Sequence, residues 1–457
     1  MENNGNACLR VLKTLEAEGE IATKFSTMGT SSWVSIKNIV FEKSLSSLAF
    51  KRHDYSAMRS WKLPVLILLS MWNYFKACIS YTSKPLFIGA GSGLLEQNGV
   101  VVDSYLPNDI SLAEGVPQSR LIYFLSADHL AKFWSARSYL KEHDAVLYSF
   151  VISPLRFVLG RFLFIFIKNN PGIIAAAKVL SSELEKVAVK CSVNEVIMLH
   201  AKFAAGVILY RMIFAPLRIS EAFVVSAYSN SESCAALKMK KVLVTEIQHG
   251  VIGSVHRGYN YACRHGDIPV PDYVSVYDEF WRTELLDAGF FKPEQIRIGG
   301  RVKYQLAEKE TVSFSKPYII FTGQGILKKE VCDFIREYGE RGGNARLFYI
   351  PHPTESEVYL AGVNDAANQF DNIEILAKKN CSTEALIMNA VAHVSIYSSC
   401  HFDAVHYLGK TYIFDAFPDN VMHYYSSRVP DKFVLIGGAT DLIDQIGHCD
   451  VNKSIHS

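Results

Sequence analysis

The sequence predicts an α/β protein: two doubly wound, Rossmann-like parallel-sheet domains facing across a cleft. Three observations carry that expectation. Short apolar runs of strand length alternate with helical segments on both sides of a polar stretch at 302–316. Several of those runs end directly in loops holding Gly, His or Ser, which places polar chemistry at the C-terminal rim of a buried parallel sheet. A chain of 457 residues with 49% apolar content is also too long for one ordinary α/β layer and ample for two cores.

Residues 1–60, rich in Ser, Thr and Lys, have weak periodicity and read as an N-terminal appendage. Residues 61–301 form the expected first domain. Pro85-Leu86-Phe87-Ile88 is its first strand and Gly89-Ala90-Gly91-Ser92-Gly93 the following loop, with a long helical region expected from about 110 to 215. Alternation resumes with strand Phe223–Ser226, helix Ser231–Lys240 and strand Val242–Thr245, which runs into Glu246-Ile247-Gln248-His249-Gly250. Strand Tyr273–Val276, a helix near 278–287 and strand Ile296–Ile298 complete this half. The polar stretch 302–316 reads as an interdomain linker.

The second domain is expected over 317–430. Its strands are Tyr318–Phe321, 346–350, 373–376, 391–396 and 411–414, with helices at 328–340, 382–390 and 399–407. Residues 431–457 read as a C-terminal tail.

Candidate chemistry clusters at strand ends. In Pro351-His352-Pro353 the prolines fix the backbone, so the imidazole projects at a set angle and can meet a phosphate or protonate a leaving group. Ser398 and Ser399 open a helix after the 391–396 strand, where free N–H groups favour an anion, although a serine pair there also suits simple capping. Gly323, Gln324 and Gly325 let a ligand approach the backbone after the domain's first strand. Asp403, one turn into its helix, is either structural or a ribose contact.

In the first domain, Glu246 and His249 stand three apart and can act as base and orienting partner. Gly250 and Gly253 keep that loop open. His256, Arg257, Arg264 and His265 just downstream suit an anionic substrate, or form a solvated basic loop. Gly91 is placed on the acceptor side with Gly250 and Arg257. The Gly89–Gly93 loop lacks GxGxxG spacing and the acidic residue a dinucleotide site needs. Asp419, His423 and Tyr424 follow the last strand without a specific role.

Bulk properties exclude other classes. Forty-seven basic against 45 acidic residues argue against a nucleic-acid partner recognised by overall field. Nine dispersed cysteines without CxxC spacing read as reduced thiols of a cytoplasmic protein. Four glutamates in the first twenty residues argue against a secretory signal. No acidic cluster suggests a metal, and no cofactor is expected. The apolar run Leu63–Trp72 is about half of the ~20 residues a span requires. The run Ala145–Ile167 is interrupted by Arg156 and Arg161, and Pro154 is expected to break its helix, leaving a buried core or peripheral contact with the inner membrane as the readings.

Taken together, these residues resemble bacterial glycosyltransferases of the GT-B architecture over about residues 220–420. Ser395-Ile396-Tyr397-Ser398-Ser399, Phe402-Asp403, Leu408-Gly409-Lys410 and Ile413-Phe414-Asp415 resemble the nucleotide-binding end of CDP-glycerol glycerophosphotransferases. Those teichoic-acid enzymes carry a His-Pro upstream of paired serines and a His-Gly in the first domain, matched here by His249-Gly250. Sialyltransferases and the Kdo transferases of capsule synthesis share a related plan, with an acidic-Gly motif where Glu246–Gly250 falls; the doubled acid before glycine is missing.

The resemblance implies a cytidine nucleotide donor whose phosphate is bound by His352, Ser398 and Ser399. Glu246 or His249 would activate an acceptor hydroxyl, without a metal. The expected activity is transfer of a sugar from a CMP-linked donor, such as a Kdo- or sialic-acid-like one, to a growing capsule, O-antigen or lipopolysaccharide glycan, free or lipid-linked. CDP-polyol phosphate transfer, a non-catalytic glycan-binding assembly role and a UDP-sugar epimerase on the same fold are the alternatives.

Overall fold

The computed structural model describes residues 4–18, 20–44, 62–89, 94–97, 100–103, 105, 121–125, 146–147, 149–254, 256–262, 268–301, 304, 307–312, 314, 317–341, 345–352, 355–376, 381–416 and 421–447. The chain divides into two compact units, Met1–Val302 and Lys303–Ser457.

The first unit begins with helices α1 (Asn4–Ala17) and α2 (Glu20–Lys24), a small antiparallel ribbon of β1 (Ser26–Thr27) and β2 (Thr30–Ser31), and α3 (Trp33–Ser44). Helix α4 (Lys62–Ile79) leads into β3 (Lys84–Gly89), the antiparallel pair β4 (Leu94–Gln97) and β5 (Val100–Asp103), then β6 (Ile122–Leu125) and β7 (Val146–Leu147). Three helices follow: α5 (Ser149–Ile167), α6 (Pro171–Glu185) and α7 (Val193–Phe214). The remainder is β8 (Ile219–Val225), α8 (Ser231–Met239), β9 (Val244–Ile247), β10 (Tyr273–Val276), α9 (Glu279–Asp287) and β11 (Ile296–Ile298). Seven strands make one parallel sheet in the order β11-β10-β9-β8-β3-β6-β7. The chain starts at β3, winds outward to β7, then returns through β8 to wind the other way. The direction of winding therefore reverses between β3 and β8.

Three expectations are corrected here. Residues 1–60 are not an appendage where they are described. Glu16 and Lys37 form an ion pair at 2.9 Å with both side chains almost wholly buried. Glu16 also accepts from Trp33 Nε1 at 2.7 Å and from the Ala262 N–H at 3.0 Å, while Lys37 donates to the Asn260 carbonyl at 2.8 Å. Polar anchors at core positions hide the apolar periodicity that would have marked α1 and α3 as part of the domain. The expected helical region at 110–215 is interrupted by β6 and β7, because a four-residue apolar run such as Ile122-Tyr123-Phe124-Leu125 gives no period to read. Pro154 does not end its helix; it sits in the second turn of α5 and forfeits only the bond to the Phe150 carbonyl.

The second unit alternates strand and helix throughout: β12 (Tyr318–Thr322), α10 (Lys328–Arg341), β13 (Arg346–Ile350), α11 (Glu357–Ala367), β14 (Ile373–Ile375), α12 (Thr383–Met388), β15 (Ala392–Ser395), α13 (Cys400–Leu408), β16 (Thr411–Phe414), α14 (Met422–Arg428), β17 (Phe433–Ile436) and α15 (Ala439–Gly447). Its parallel sheet has the order β14-β13-β12-β15-β16-β17, with the reversal between β12 and β15. That is the strand order of a dinucleotide-fold sheet, in which ligands bind beyond the carboxyl ends at the reversal.

Both flanks of this unit differ from expectation. The described part of 302–316 packs onto it: the Tyr304 ring stacks on His406 with centroids 4.2 Å apart, and Phe314 meets Phe348 at 4.6 Å. Residues 431–447 are no tail, since β17 completes the sheet and Ile436, Ala439 and Leu442 are buried in its core. The tail beyond Gly447 lies outside the described residues.

Candidate functional site

The rim of the C-terminal sheet gathers three of the predicted motifs. In the β12–β13 and β12–β15 registers, Thr322 is level with Ile350 and with Ser395. The segments that follow, starting at Gly323, Pro351 and Ile396, therefore leave the sheet side by side. Adjacent strands are ~4.8 Å apart, so the glycine loop is flanked by the His352 segment on one side and the serine segment on the other.

Glu355, which belongs to no recognisable motif, ties this rim together. Its Oε1 accepts from the Tyr349 hydroxyl at 3.0 Å, the Gly325 N–H at 3.0 Å and the His352 N–H at 3.1 Å. A Cβ on Gly323 would overlap the Tyr349 hydroxyl and Glu355 Oε1, and Gly325 has φ +70°. Both positions therefore demand glycine for reasons of space or conformation. Burial raises the Glu355 carboxyl above its ordinary value, against the lowering effect of its donors. Desolvation lowers the His352 imidazole, which makes it a neutral hydrogen-bonding group at neutral pH.

The two serines differ. Ser398 is buried and its Oγ accepts from the Cys400 N–H at 3.2 Å, so it caps α13. Ser399 is exposed and its side chain makes no capping bond. Its hydroxyl lies at the start of a nine-residue helix, where backbone N–H groups and the helix dipole favour an anion. Asp403 is fully buried and its Oδ1 accepts from the Tyr304 hydroxyl at 3.0 Å. Of the two readings open to Asp403, this contact favours the structural one: the carboxylate holds Tyr304, and Tyr304 supports the helix.

Behind the rim runs a buried polar chain. His393 on β15 places Nε2 3.0 Å from Thr322 Oγ1 and Nδ1 2.8 Å from Thr411 Oγ1. His401, in the first turn of α13, places its Nδ1 2.8 Å from the same Thr411 oxygen. Ser395 Oγ donates to the Thr322 carbonyl at 2.6 Å. Burial drives both imidazoles far down, His393 to about 3, so both are neutral at physiological pH. The chain joins β12, β15, β16 and α13 at the sheet's reversal.

The N-terminal unit has its own cluster at the ends of β8 and β9. Glu246 is 1% exposed; its Oε1 accepts from the Ala227 N–H at 3.0 Å and the Tyr259 hydroxyl at 2.6 Å. Desolvation pushes its carboxyl up to about 7 despite those two donors. The Tyr259 ring meets Tyr228 and His256, with centroids 5.8 and 5.2 Å away. The Tyr228 hydroxyl lies 3.3 Å from His249 Nε2. Burial, then the Arg257 charge, lowers His249 to about 4. His249 Nδ1 is buried without a hydrogen-bond partner, and its Nε2 contact is long, so this half-buried imidazole has bonding capacity to spare. Through Oε1, Glu246 anchors the β8 loop.

That loop, Ser226–Asn230, escaped the sequence reading. Ser226 adopts φ +60°, a costly conformation for serine, at the reversal between β3 and β8. Gly250 has open space around it, whereas at Gly253, with φ +107°, a Cβ would lie 3.0 Å from the Glu284 carbonyl oxygen. Arg257 is turned to other work: it donates to Asn38 and, at 2.9 Å, to Glu42, and its guanidinium lies 5.0 Å from the Phe41 ring centroid. These contacts hold Arg257, expected on the acceptor side, to α3. Gly91, Pro353, Arg264, His265 and Asp419 lie outside the described residues. His423 pairs with Asp415 at 2.6 Å, and Tyr424 accepts from Arg428. Among the described residues no group of three or more His, Cys, Asp or Glu is arranged to hold a metal ion.

No protein-family model and no curated protein sequence matches the chain. Solved structures do. The crystal structure of a protein described as a UDP-N-acetylglucosamine 2-epimerase from Listeria monocytogenes superposes with a TM-score of 0.50 and 9% identity, covering 79% of this chain and 86% of that one. What is shared is the GT-B fold. UDP-GlcNAc 2-epimerase from Neisseria meningitidis bound to UDP-GlcNAc gives 0.48 at 9% identity over 80% and 90% of the two chains. The calicheamicin glycosyltransferase CalG4 gives 0.43 at 8% identity over 82% and 91%.

Proposed function

We propose that the protein is a metal-independent glycosyltransferase that moves a sugar from a CMP-linked donor onto a growing surface glycan. The observation that carries this reading is the C-terminal rim: a loop that admits only glycine, an imidazole and an uncapped serine hydroxyl at a helix start, on three adjacent strands at the reversal. A nucleotide phosphate suits such a rim, with Gly323–Gly325 admitting it closely and His352 and Ser399 donating to its oxygens. Ser398 keeps the helix start in place.

On the acceptor side, the roles divide between the two residues first singled out. His249, neutral and held only by the long contact of Nε2 to the Tyr228 hydroxyl, takes the proton from the acceptor hydroxyl on Nε2, and Glu246 holds the loop that carries Tyr228. The acceptor oxygen bonds to the sugar carbon as the bond from that carbon to the phosphate oxygen breaks. The electron pair leaves with the nucleotide, whose charge the helix start and imidazole stabilise.

Calorimetric titration with CMP, CDP and UDP tests the donor site. CMP or CDP is expected to bind, and His352→Ala and Ser399→Ala to weaken binding about tenfold each, the worth of one charge-assisted hydrogen bond. If no cytidine nucleotide binds, or both variants bind as the parent does, the reading fails. A CDP-polyol phosphotransferase is the second reading, favoured by the His249-Gly250 pair; it would release CMP and leave a phosphodiester in the product. UDP-GlcNAc 2-epimerisation, suggested by the names of the related structures, would show as UDP binding and a 2-epimer by NMR. Nucleotide binding without turnover of any donor would indicate a non-catalytic glycan-binding role.

A further inference from the structure

We propose that the outward sides of α4 and α5 form a docking surface for an anionic lipid bilayer, on which the N-terminal unit lies without crossing it. On α4 the exposed side chains are Leu68, Met71, Trp72, Phe75 and Ile79, between 52% and 66% exposed. Their spacing of three and four places them on one side of the helix. The other side is inward: Tyr74 donates to the Ile213 carbonyl at 2.9 Å and packs with Ala77 and Cys78 on the sheet core. Helix α5 repeats the pattern. Leu155, Val158, Phe162, Ile165 and Phe166 are 48–66% exposed, while Ile152 is buried and Gly160 abuts Lys202 of α7.

Both helices belong to one layer. Tyr74 of α4, Ile152 of α5 and Tyr210 of α7 share a core cluster on the sheet face formed by Leu86, Ile88 and Phe124. The sides turned away from that sheet therefore look outward from the same face of the domain. A soluble surface does not ordinarily carry two such aliphatic and aromatic stripes together.

Charge identifies the occupant. The whole chain is balanced, with 47 basic and 45 acidic residues. The stretches 55–95 and 145–182, which contain these helices, hold four Lys or Arg each and no Asp or Glu. Arg156 is paired with Glu232 of α8 at 2.8 Å. Arg161 lies among the exposed apolar residues with its guanidinium 4.4 Å from the Phe157 ring centroid, the posture of a cation that buries its stem and keeps its head at a polar boundary. Lys168 follows at the end of α5. The α5 stripe edged by Arg161 and Lys168, together with the lack of acidic residues in both stretches, matches a headgroup layer carrying negative charge. Trp72 and Tyr81, the latter 87% exposed, are the side chains that partition to that layer.

Lying flat fits better than crossing. Helix α7 is long and apolar enough to span, but 56% of its apolar window is buried inside the unit. Helices α5 and α6 qualify only as a pair and are bent by 107° at their junction. One apolar side per helix, with the other packed on the sheet, provides for shallow insertion.

The full chain is tested by co-sedimentation with phosphatidylcholine vesicles with and without phosphatidylglycerol, following Trp72 emission and its quenching by brominated lipid. Binding is expected only with phosphatidylglycerol, with a blue shift that Trp72→Phe removes. Phe162→Glu combined with Phe166→Glu, both exposed and so compatible with folding, should lower the vesicle partition coefficient at least about tenfold. Arg161→Glu with Lys168→Glu should abolish the preference for phosphatidylglycerol. Circular dichroism and nucleotide titration of the same variants verify that they fold. The proposal is overturned if the parent does not bind vesicles, if it binds equally to both compositions, or if the phenylalanine variants bind as the parent does. Self-association in lipid-free sedimentation velocity that the phenylalanine variants abolish assigns the surface to a second copy and also overturns it. Retention in cell membranes after alkaline carbonate washing would overturn the flat orientation.

Discussion

The imidazoles of His393 and His401 stand edge to face, 5.1 Å between ring centroids, and both place Nδ1 2.8 Å from the single hydroxyl of Thr411. The hydroxyl oxygen has two lone pairs, and its own proton can turn to the His393 carbonyl 3.4 Å away, so one side chain serves both imidazoles. Since His401 lies in the first turn of α13 and His393 on β15, this fixes the helix start relative to the strand that leads to it.

Replacing Thr411 with valine keeps the volume and removes the shared oxygen. Both Nδ1 atoms then face a methyl group deep in the sheet. The expected cost is about 1–3 kcal/mol of stability for each polar atom left unpaired, read as a lower urea midpoint. Nucleotide affinity should fall as well, because α13 loses its register. A variant as stable as the parent would show that the hydroxyl does not bridge the two rings.

Gly323 and Gly250 make a contrasting pair. A methyl group at 323 would overlap the Tyr349 hydroxyl and Glu355 Oε1, whereas one at 250 meets nothing within 4 Å. Gly323→Ala should destabilise by about 1–3 kcal/mol, typical of overpacking, and should abolish nucleotide binding in a calorimeter. Gly250→Ala should leave both melting and nucleotide binding unchanged and lower turnover alone, through the acceptor side. If the two substitutions behave alike, the assignment of the two loops to different halves of the reaction is wrong.

The parts of this fold that were legible in the sequence are those with an unbroken apolar strand followed by a turn. Tyr318–Phe321, 346–350 and 411–414 were read to within a residue of β12, β13 and β16, because parallel strands buried on both faces need near-continuous apolar runs. The first unit was harder. Its N-terminal helices are anchored by the buried Glu16–Lys37 pair, and charge at a core position cancels the pattern that reveals a core. The rim motifs at 323–325, 352 and 398–399 were visible as residue types at strand ends. What each side chain does was not. Asp403 and Arg257 carry the charges a ligand site would need, yet their partners Tyr304, Asn38 and Glu42 lie far away in sequence. Glu355 offered no signal, since its importance comes from three donors converging in space.

Glu246 gives the N-terminal unit a dependence on pH whose sign is set by burial. Its carboxyl is raised from 4.5 to about 7, so the folded chain binds the proton more tightly than the unfolded chain. The stabilisation is complete below about pH 4.5 and is lost as pH rises through about 7. That interval corresponds to about 3 kcal/mol at most. Glu246→Gln retains an oxygen for the Ala227 N–H and the Tyr259 hydroxyl but cannot ionise. Urea denaturation between pH 4.5 and 8 should therefore show a declining stability in the parent and a flatter profile in the variant. Identical profiles would mean that Glu246 ionises freely in the folded state.

Ser398 and Ser399 separate capping from ligand binding within two adjacent residues. Ser398 Oγ accepts a backbone N–H at 3.2 Å, so Ser398→Ala should cost about 1 kcal/mol of stability. Nucleotide binding would then weaken only as far as the helix start loosens. Ser399 makes no capping bond and is exposed, so Ser399→Ala should melt like the parent. Its effect should appear in the affinity for CMP, as the loss of one hydrogen bond to a charged oxygen, about 1.5–3 kcal/mol or tenfold and more. Measuring melting and affinity on the same samples distinguishes the roles. Should Ser399→Ala lose stability while keeping affinity, the exposed hydroxyl would belong to the helix, and the phosphate would have to be held elsewhere on the rim.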